Sequence, residues 1–250
     1  MLSWFFRCIS CRGGIQLRSD YTHFPLCEPC HESLFPCPKL CKSCGSPICL
    51  TYSDEKCSRP WIAQGRGLEI HSYSALYHMV DPCYRVLKSW KKSRGPLFDR
   101  RILKSNHELL TTWKEFQPDA IVPIPQNFSR AWKMGGSRTE CLADWVSTQT
   151  QVPVHFVLKS KTSLKRQAEL NLEGRLQSTS RFYMNDSWHS WNPWSLWTPW
   201  TPWSKNFQNV LLVDDFMTSG RTLFQAASLL RQFGVLRVHA FCLGIRARRC

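Results

Sequence analysis

Apolar positions are unevenly spread along this chain, and their spacing predicts two kinds of element. The stretch from Leu103 to Phe116 has helical spacing. Ala120, Ile121 and Val122 form a short continuous apolar run, which predicts a buried strand stopped by Pro123 and Pro125. Cys141 to Thr148 then predicts the following helix. The order recurs near the end: Asn209 to Val213 predicts a strand, Arg221 to Phe233 a helix, and Val235 to Leu243 a last strand. Strand, loop and helix in repeated succession predict a parallel α/β arrangement.

Two segments depart from this pattern. Residues 1–60 carry little periodic apolar signal, so they cannot bury much core and need a metal to hold a fold. They are expected to form a small module ahead of a larger domain over 61–250. The second is 187–203, where Trp188, Trp191, Trp194, Trp197, Trp200 and Trp203 recur at intervals of three. Neither a 3.6-residue helix nor a two-residue strand keeps that stripe on one face, whereas a threefold polyproline II rod does, and Pro193, Pro199 and Pro202 favour one. Two readings stand: an aromatic platform that stacks on bases or docks a partner, or a low-complexity insertion in a surface loop.

Charge adds a third signal. Against 18 acidic residues stand 33 Lys and Arg, a net charge of +15. Such a bias attracts polyanions, whether nucleic acid, phosphorylated small molecules or anionic surfaces, without choosing among them. The chain ends with Arg246, Arg248 and Arg249, either a solvated tail or a nucleic-acid contact.

Of the thirteen cysteines, nine fall between Cys8 and Cys57. The apolar stretch Met1–Phe6 ends at Arg7, too short for an export signal, and no run approaches a membrane span of ~18 residues. The expected compartment is therefore the cytoplasm, where reduced thiols bind metal rather than one another. Cys8-x₂-Cys11 and Cys27-x₂-Cys30 have the spacing of a four-thiolate structural zinc site, each turn aiming two sulfurs at one point. A weaker second set begins with Cys41-x₂-Cys44 and draws on Cys57 and Cys49, with Cys37 as a substitute; Pro60 stands where a further cysteine would complete the pattern. Its alternatives are an empty knuckle or a CxxC redox pair, although a redox pair lacks its usual βαβ context.

The sharpest chemistry lies in Val210-Leu211-Leu212-Val213-Asp214-Asp215-Phe216-Met217-Thr218-Ser219-Gly220-Arg221-Thr222. Four apolar residues in a row make a strand covered on both faces. Two carboxylates follow at its carboxyl end, the edge where open α/β sheets bind ligands. Asp214 and Asp215 are suited to accept from the vicinal hydroxyls of a ribose. Thr218, Ser219, Gly220 and Thr222, with Arg221, can surround a phosphate at the positive end of the next helix. Gly220 lets the backbone approach without a Cβ. A receiver-type acidic pair and a plain capped turn are the competing readings; the first lacks a Thr-Ser-Gly cradle, and the second leaves the acids unexplained.

This string resembles the phosphoribosyl-pyrophosphate motif of type I phosphoribosyltransferases, and the whole chain is similar to the ComF (GntX-like) family. The supporting residues are the aromatic-rich Tyr73–Lys88 stretch with its Leu87-Lys88 pair, Ile121-Val122-Pro123-Ile124-Pro125 followed by Arg130 and Lys133, and Gln167, Leu170 and Arg175. Two flanks differ: an Arg-Gly-Phe-Asn-Gln element is replaced by Met134-Gly135-Gly136-Ser137-Arg138, and a customary asparagine by Ser178. These changes bear on turnover more than on ligand binding.

The resemblance implies a type I phosphoribosyltransferase-like parallel sheet with helices on both faces, preceded by a double zinc ribbon. It further implies phosphoribosyl pyrophosphate or a ribose 5-phosphate ligand, Mg²⁺ bridging pyrophosphate and ribose, and a link to DNA uptake in competence. Arg130, Lys133 and Lys88 are candidates to neutralise the leaving pyrophosphate, each equally readable as a surface charge. Nothing in the sequence names an acceptor. A non-catalytic alternative remains, in which zinc ribbon and basic surface grip single-stranded DNA while the pocket senses a nucleotide.

Overall fold

The computed structural model describes residues 6–8, 10–15, 26–34, 36–37, 40, 69–92, 102–103, 107–126, 137–160, 182–184 and 207–246. Outside them lie the second cysteine set (Cys41, Cys44, Cys49, Cys57), Arg130 and Lys133, the motif residues Gln167, Leu170, Arg175 and Ser178, the tryptophan-rich 187–203, and Arg248 and Arg249.

Among the described residues, four strands make the central sheet: β3 (Ser72–His78), β4 (Ala120–Pro123), β7 (Asn209–Met217) and β8 (Arg237–Ile245). Their order is β3-β8-β7-β4, and every pairing is parallel. Beyond β4, Val154 adds a parallel bridge to Ile121. The long connections that parallel strands require are helical: α2 (Cys83–Lys92) and α3 (His107–Phe116) follow β3, α4 (Arg138–Thr150) follows β4, and α5 (Arg221–Gln232) joins β7 to β8. A short antiparallel pair, β5 (Leu158–Ser160) with β6 (Phe182–Met184), forms a separate two-stranded sheet.

Strand alternation sorts the core into two layers. Ile121, Leu211, Val213, Phe241 and Leu243 face α2, α3 and α4, among them Trp90, Trp113 and Leu142. Ala120, Val122, Val210, Leu212, Val238, Ala240 and Cys242 face the other way, onto Leu223, Ala226, Ala227 and Leu230 of α5 and onto Phe182 and Met184 of β6. Helices thus cover both faces, as expected. Helix α4 leaves β4 on one face and α5 leaves β7 on the other, the arrangement in which open α/β sheets bind ligands at the carboxyl ends of neighbouring strands.

Several element boundaries differ from the sequence expectation. Leu103 is not helical, and the helix expected from it is described over His107–Phe116. The last strand runs over Arg237–Ile245 instead of Val235–Leu243. Helix α4 starts at Arg138 instead of Cys141, because Ser137 caps it by accepting from Glu140 N (3.4 Å); the Ser-x-x-Glu spacing signals this cap. Strand β7 runs past both acids to Met217, since its pairing with β8 continues to Met217–Ile245.

Two polar devices fix the sheet. The Asp119 carboxylate accepts from Gln208 N (2.7 Å) and Asn209 N (3.1 Å), tying the start of β7 to that of β4. Across the β3–β8 pair, fully buried His239 bonds Ser72 Oγ through Nδ1 (2.6 Å) and Ser74 Oγ through Nε2 (2.7 Å). Trp113 Nε1 also donates to Ser74 Oγ (3.4 Å). Burial, and secondarily the nearby His71, pull the His239 pKa down to about 3. The native state therefore holds this imidazole neutral, while the unfolded chain takes up a proton below about pH 6.5. Stability contributed by neutral His239 is complete above that value and is lost as pH falls. Urea unfolding between pH 7 and pH 5 should show a loss of roughly 2 kcal/mol from this group by pH 5, and His239→Gln should flatten the slope.

Candidate phosphoribose site and cysteine cluster

Asp214 and Asp215 sit at the carboxyl end of β7, both buried. As consecutive strand residues they turn toward opposite layers. Asp214 follows Val210 and Leu212 toward the α5 side and pairs across the ladder with Cys242; its Oδ1 accepts from Asp215 N (2.8 Å). Burial chiefly, then the charges of Asp214 and Asp215, push the Cys242 thiol far up and keep it protonated. Asp215 follows Leu211 and Val213 toward α2. Its Oδ1 accepts from Phe216 N (2.7 Å), and its Oδ2 meets Lys91 Nζ at 2.5 Å.

Beyond the acids the chain bends through Thr218 and Ser219 to Gly220, which holds φ +75° and ψ −2° at the N-cap of α5. That left-handed conformation favours glycine. Thr218 is exposed, Ser219 and Thr222 half-buried, and Arg221 exposed at the first helical position. Ser219 Oγ accepts from Arg221 N at 3.4 Å. The first intrahelical bond is Phe224 N to Gly220 O (2.9 Å), so the first turn of amides faces outward from the helix end. An amide-lined turn with hydroxyls and a helix-dipole terminus is chemically suited to a phosphate.

Of the basic residues expected here, Lys88 is exposed, its ammonium 5.5 Å from the Tyr84 ring centroid. The lysine that reaches the carboxylates is Lys91, which sequence reasoning did not single out. It lies on the same helix and sits 4.9 Å from the Phe216 ring centroid. Helix α2 is seated by Cys83, Val86, Leu87 and Trp90, an i, i+3, i+4, i+7 stripe. Trp90 is fully buried, 6.0 Å from Phe216, with the buried guanidinium of Arg138 5.5 Å from its ring. Truncating a tryptophan so packed costs about 3–5 kcal/mol, so Trp90 holds the helix and Lys91 supplies the charge.

The amino-terminal cysteines converge as their spacing predicts. Strands β1 (Phe6–Arg7) and β2 (Gly14–Ile15) form a hairpin carrying Cys8 and Cys11, and α1 (Glu28–Glu32) carries Cys30 just after Cys27. The four ligand sulfurs lie within 4.8 Å of one another. Cys11 Sγ and Cys27 Sγ are 3.6 Å apart, too far for a disulfide at ~2.05 Å and close to the separation of two thiolates sharing one tetrahedral zinc. Burial raises the Cys8 thiol, but backbone N–H groups of Cys11, Cys27 and Ser10 outweigh it and bring the pKa to about 7. Cys30 is pushed strongly upward by burial first, then by the side chain of Cys27 and the charge of Cys8. A divalent cation relieves this mutual repulsion, so the donor set fits zinc.

Cys8, Leu26 and Cys30 belong to the same apolar cluster as Leu76, Met79, Val86 and Leu87. Cys37 N bonds Leu76 O (3.0 Å), and Pro36 bridges Tyr77, laying the following segment along the β3 edge. Cys37 thus packs against the sheet. Cys8→Ser or Cys27→Ser should lower bound zinc by one ion per chain, read by metal analysis of purified protein, and should lower the melting temperature.

Among the described residues no helix is long and apolar enough to cross a membrane. Residues 202–249 match the phosphoribosyl transferase domain family, a span that contains β7, the turn at Gly220, α5 and β8. Along nearly its whole length the chain is similar to competence protein F of Haemophilus influenzae, with 25% identity over 97% of this chain and 99% of that protein. It is also 25% identical to the DNA utilization protein YhgH of Escherichia coli, over 94% of this chain and 95% of that protein. The matched domain, the four-thiol cluster and this end-to-end similarity make the chain similar to competence protein F and to YhgH along nearly their whole length.

Proposed function

We propose that the chain binds phosphoribosyl pyrophosphate, or another ligand bearing ribose 5-phosphate, at the carboxyl end of β7. The observation carrying this reading is the union of two features on one uninterrupted segment. A strand covered on both faces carries Asp214 and Asp215 near its carboxyl end, and a glycine-hinged turn into α5 follows within a few residues. In this reading Asp214 and Asp215 accept from the ribose hydroxyls. Thr218, Ser219, Gly220, Arg221 and Thr222 hold the 5′-phosphate.

The paired carboxylates are hard oxygen donors of the kind Mg²⁺ prefers. Bound with the ligand, the ion would supply charge neutralisation for the pyrophosphate. Arg130, Lys133 and Lys88 remain the candidate basic partners of that leaving group. Displacement at the anomeric carbon also needs a positioned nucleophile, and the acceptor is the part of the reaction this reading leaves to experiment. By analogy with the names of its relatives, the ligand site serves a protein engaged in the uptake or use of DNA.

Asp214→Asn/Asp215→Asn should weaken Mg²⁺-dependent binding of phosphoribosyl pyrophosphate about a hundredfold, the scale of two charge-assisted hydrogen bonds. Zinc content should stay constant. Titration calorimetry checks the affinity, and unaltered affinity would remove the basis of the proposal. A pyrophosphate-release screen over nucleobases, ammonia and glutamine then tests for turnover.

A second reading, a non-catalytic grip on single-stranded DNA, is favoured by one surface. The Tyr84 ring of α2 has the Lys88 ammonium 5.5 Å and the Arg246 guanidinium 5.2 Å from its centroid, with Lys92 exposed on the same helix. An aromatic ring with cations near it suits a stacked base beside phosphates. Tyr84→Ala should weaken oligonucleotide binding by about 1–3 kcal/mol. Lys88→Ala should lower the steepness of its salt dependence, measured by fluorescence anisotropy. Binding insensitive to both changes removes this surface from consideration.

A further inference from the structure

The ion pair between Lys91 and Asp215 bears on which ligands the site accepts. Asp215 has both oxygens engaged within the protein: Oδ1 by Phe216 N and Oδ2 by Lys91. The lysine side chain is 29% exposed and the aspartate side chain 8%, so the contact lies at the mouth of the site rather than in the core. A ribose hydroxyl can reach Oδ2 only by displacing or sharing the ammonium. A displaced ammonium in a partly dry site needs another anion, because leaving it unpaired there is unfavourable.

We propose that Lys91 occupies the sugar position of Asp215 in the ligand-free protein and moves on binding to the ligand's anomeric diphosphate, making it the residue that selects diphosphorylated sugars over simple sugar monophosphates. The inference rests on the phosphoribose reading of the site. The selection follows from where the anions lie. A ribose 5-phosphate has one anion, and the turn over 218–222 takes it, so nothing compensates Lys91 for the loss of Asp215. A ligand with a diphosphate on C1 presents a second anion next to the very hydroxyls that displace the lysine.

Only the side chain need travel. Trp90, fully buried against Phe216 and beneath Arg138, keeps the helix backbone fixed. The four-carbon stem of lysine has the rotatable bonds for such a swing, and its ammonium accepts partners from many directions. Phe216, whose ring lies under the ammonium, offers an aromatic face along which the charge can shift.

The test compares D-ribose 5-phosphate with phosphoribosyl pyrophosphate, both with Mg²⁺, on the zinc-loaded full chain by titration calorimetry. The wild type should prefer the diphosphate. In Lys91→Met the monophosphate should bind more tightly while the diphosphate binds more weakly, so the preference falls at least about tenfold, the scale of one charge-assisted bond. Lys91→Arg should retain the preference. A wild-type ratio in Lys91→Met of native melting temperature overturns the proposal and leaves the phosphoribose site intact. If Lys91→Met does not fold, the ratio is read from Lys91→Gln instead, where a tenfold fall supports the proposal and a wild-type ratio overturns it. Failure of the wild type to bind either ligand defeats the phosphoribose reading itself, and this inference with it.

Discussion

Two consecutive carboxylates at the end of a strand covered on both faces cannot share one environment. Side chains alternate across a sheet, so Asp214 and Asp215 are delivered to opposite layers and must find their partners from different parts of the chain. Asp215 finds Lys91 on α2 and the following amide; Asp214 lies over Cys242 of β8 and accepts from the amide of Asp215. Two buried negative charges are tolerable only with such partners. The ion pair with Lys91 thereby ties α2 to the carboxyl end of β7.

The amino-terminal module enters the same network from the far side of α2. Its cysteine cluster has too little apolar surface to stand alone, and Cys8, Leu26 and Cys30 complete the layer that seats Val86 and Leu87. The four-thiol cluster and the position of α2 are therefore joined through packing, while the chemistry of the two sites stays separate. Thiolates serve one and carboxylates the other, in keeping with the soft and hard cations they suit.

Much of this was legible in the sequence because it is local. The run Val210–Val213, the two acids, the Gly220 hinge and the two CxxC knuckles each carry their chemistry within a few residues. The boundaries that shifted did so through partners elsewhere. Strand β7 continues beyond its acids because β8 is there to pair with it, and α4 begins early because Ser137 caps it. Lys91 was not legible: nothing within α2 distinguishes it from Lys88 or Lys92, and its role appears only when the sheet order sets α2 beside the end of β7. The same holds for His239, whose two serine partners stand on a strand from the other end of the chain. Local patterns encode which chemistry is present; topology decides which side chains meet.

The clamp made by Asp119 carries a last implication. By gripping the amides of Gln208 and Asn209, one carboxylate sets where β7 begins against β4, independently of the chain that leads up to Phe207. Register, and with it the level at which the acids emerge, is counted from that anchor forward. Additions or deletions upstream, including those within a tryptophan-rich tract, leave the carboxylate edge in step.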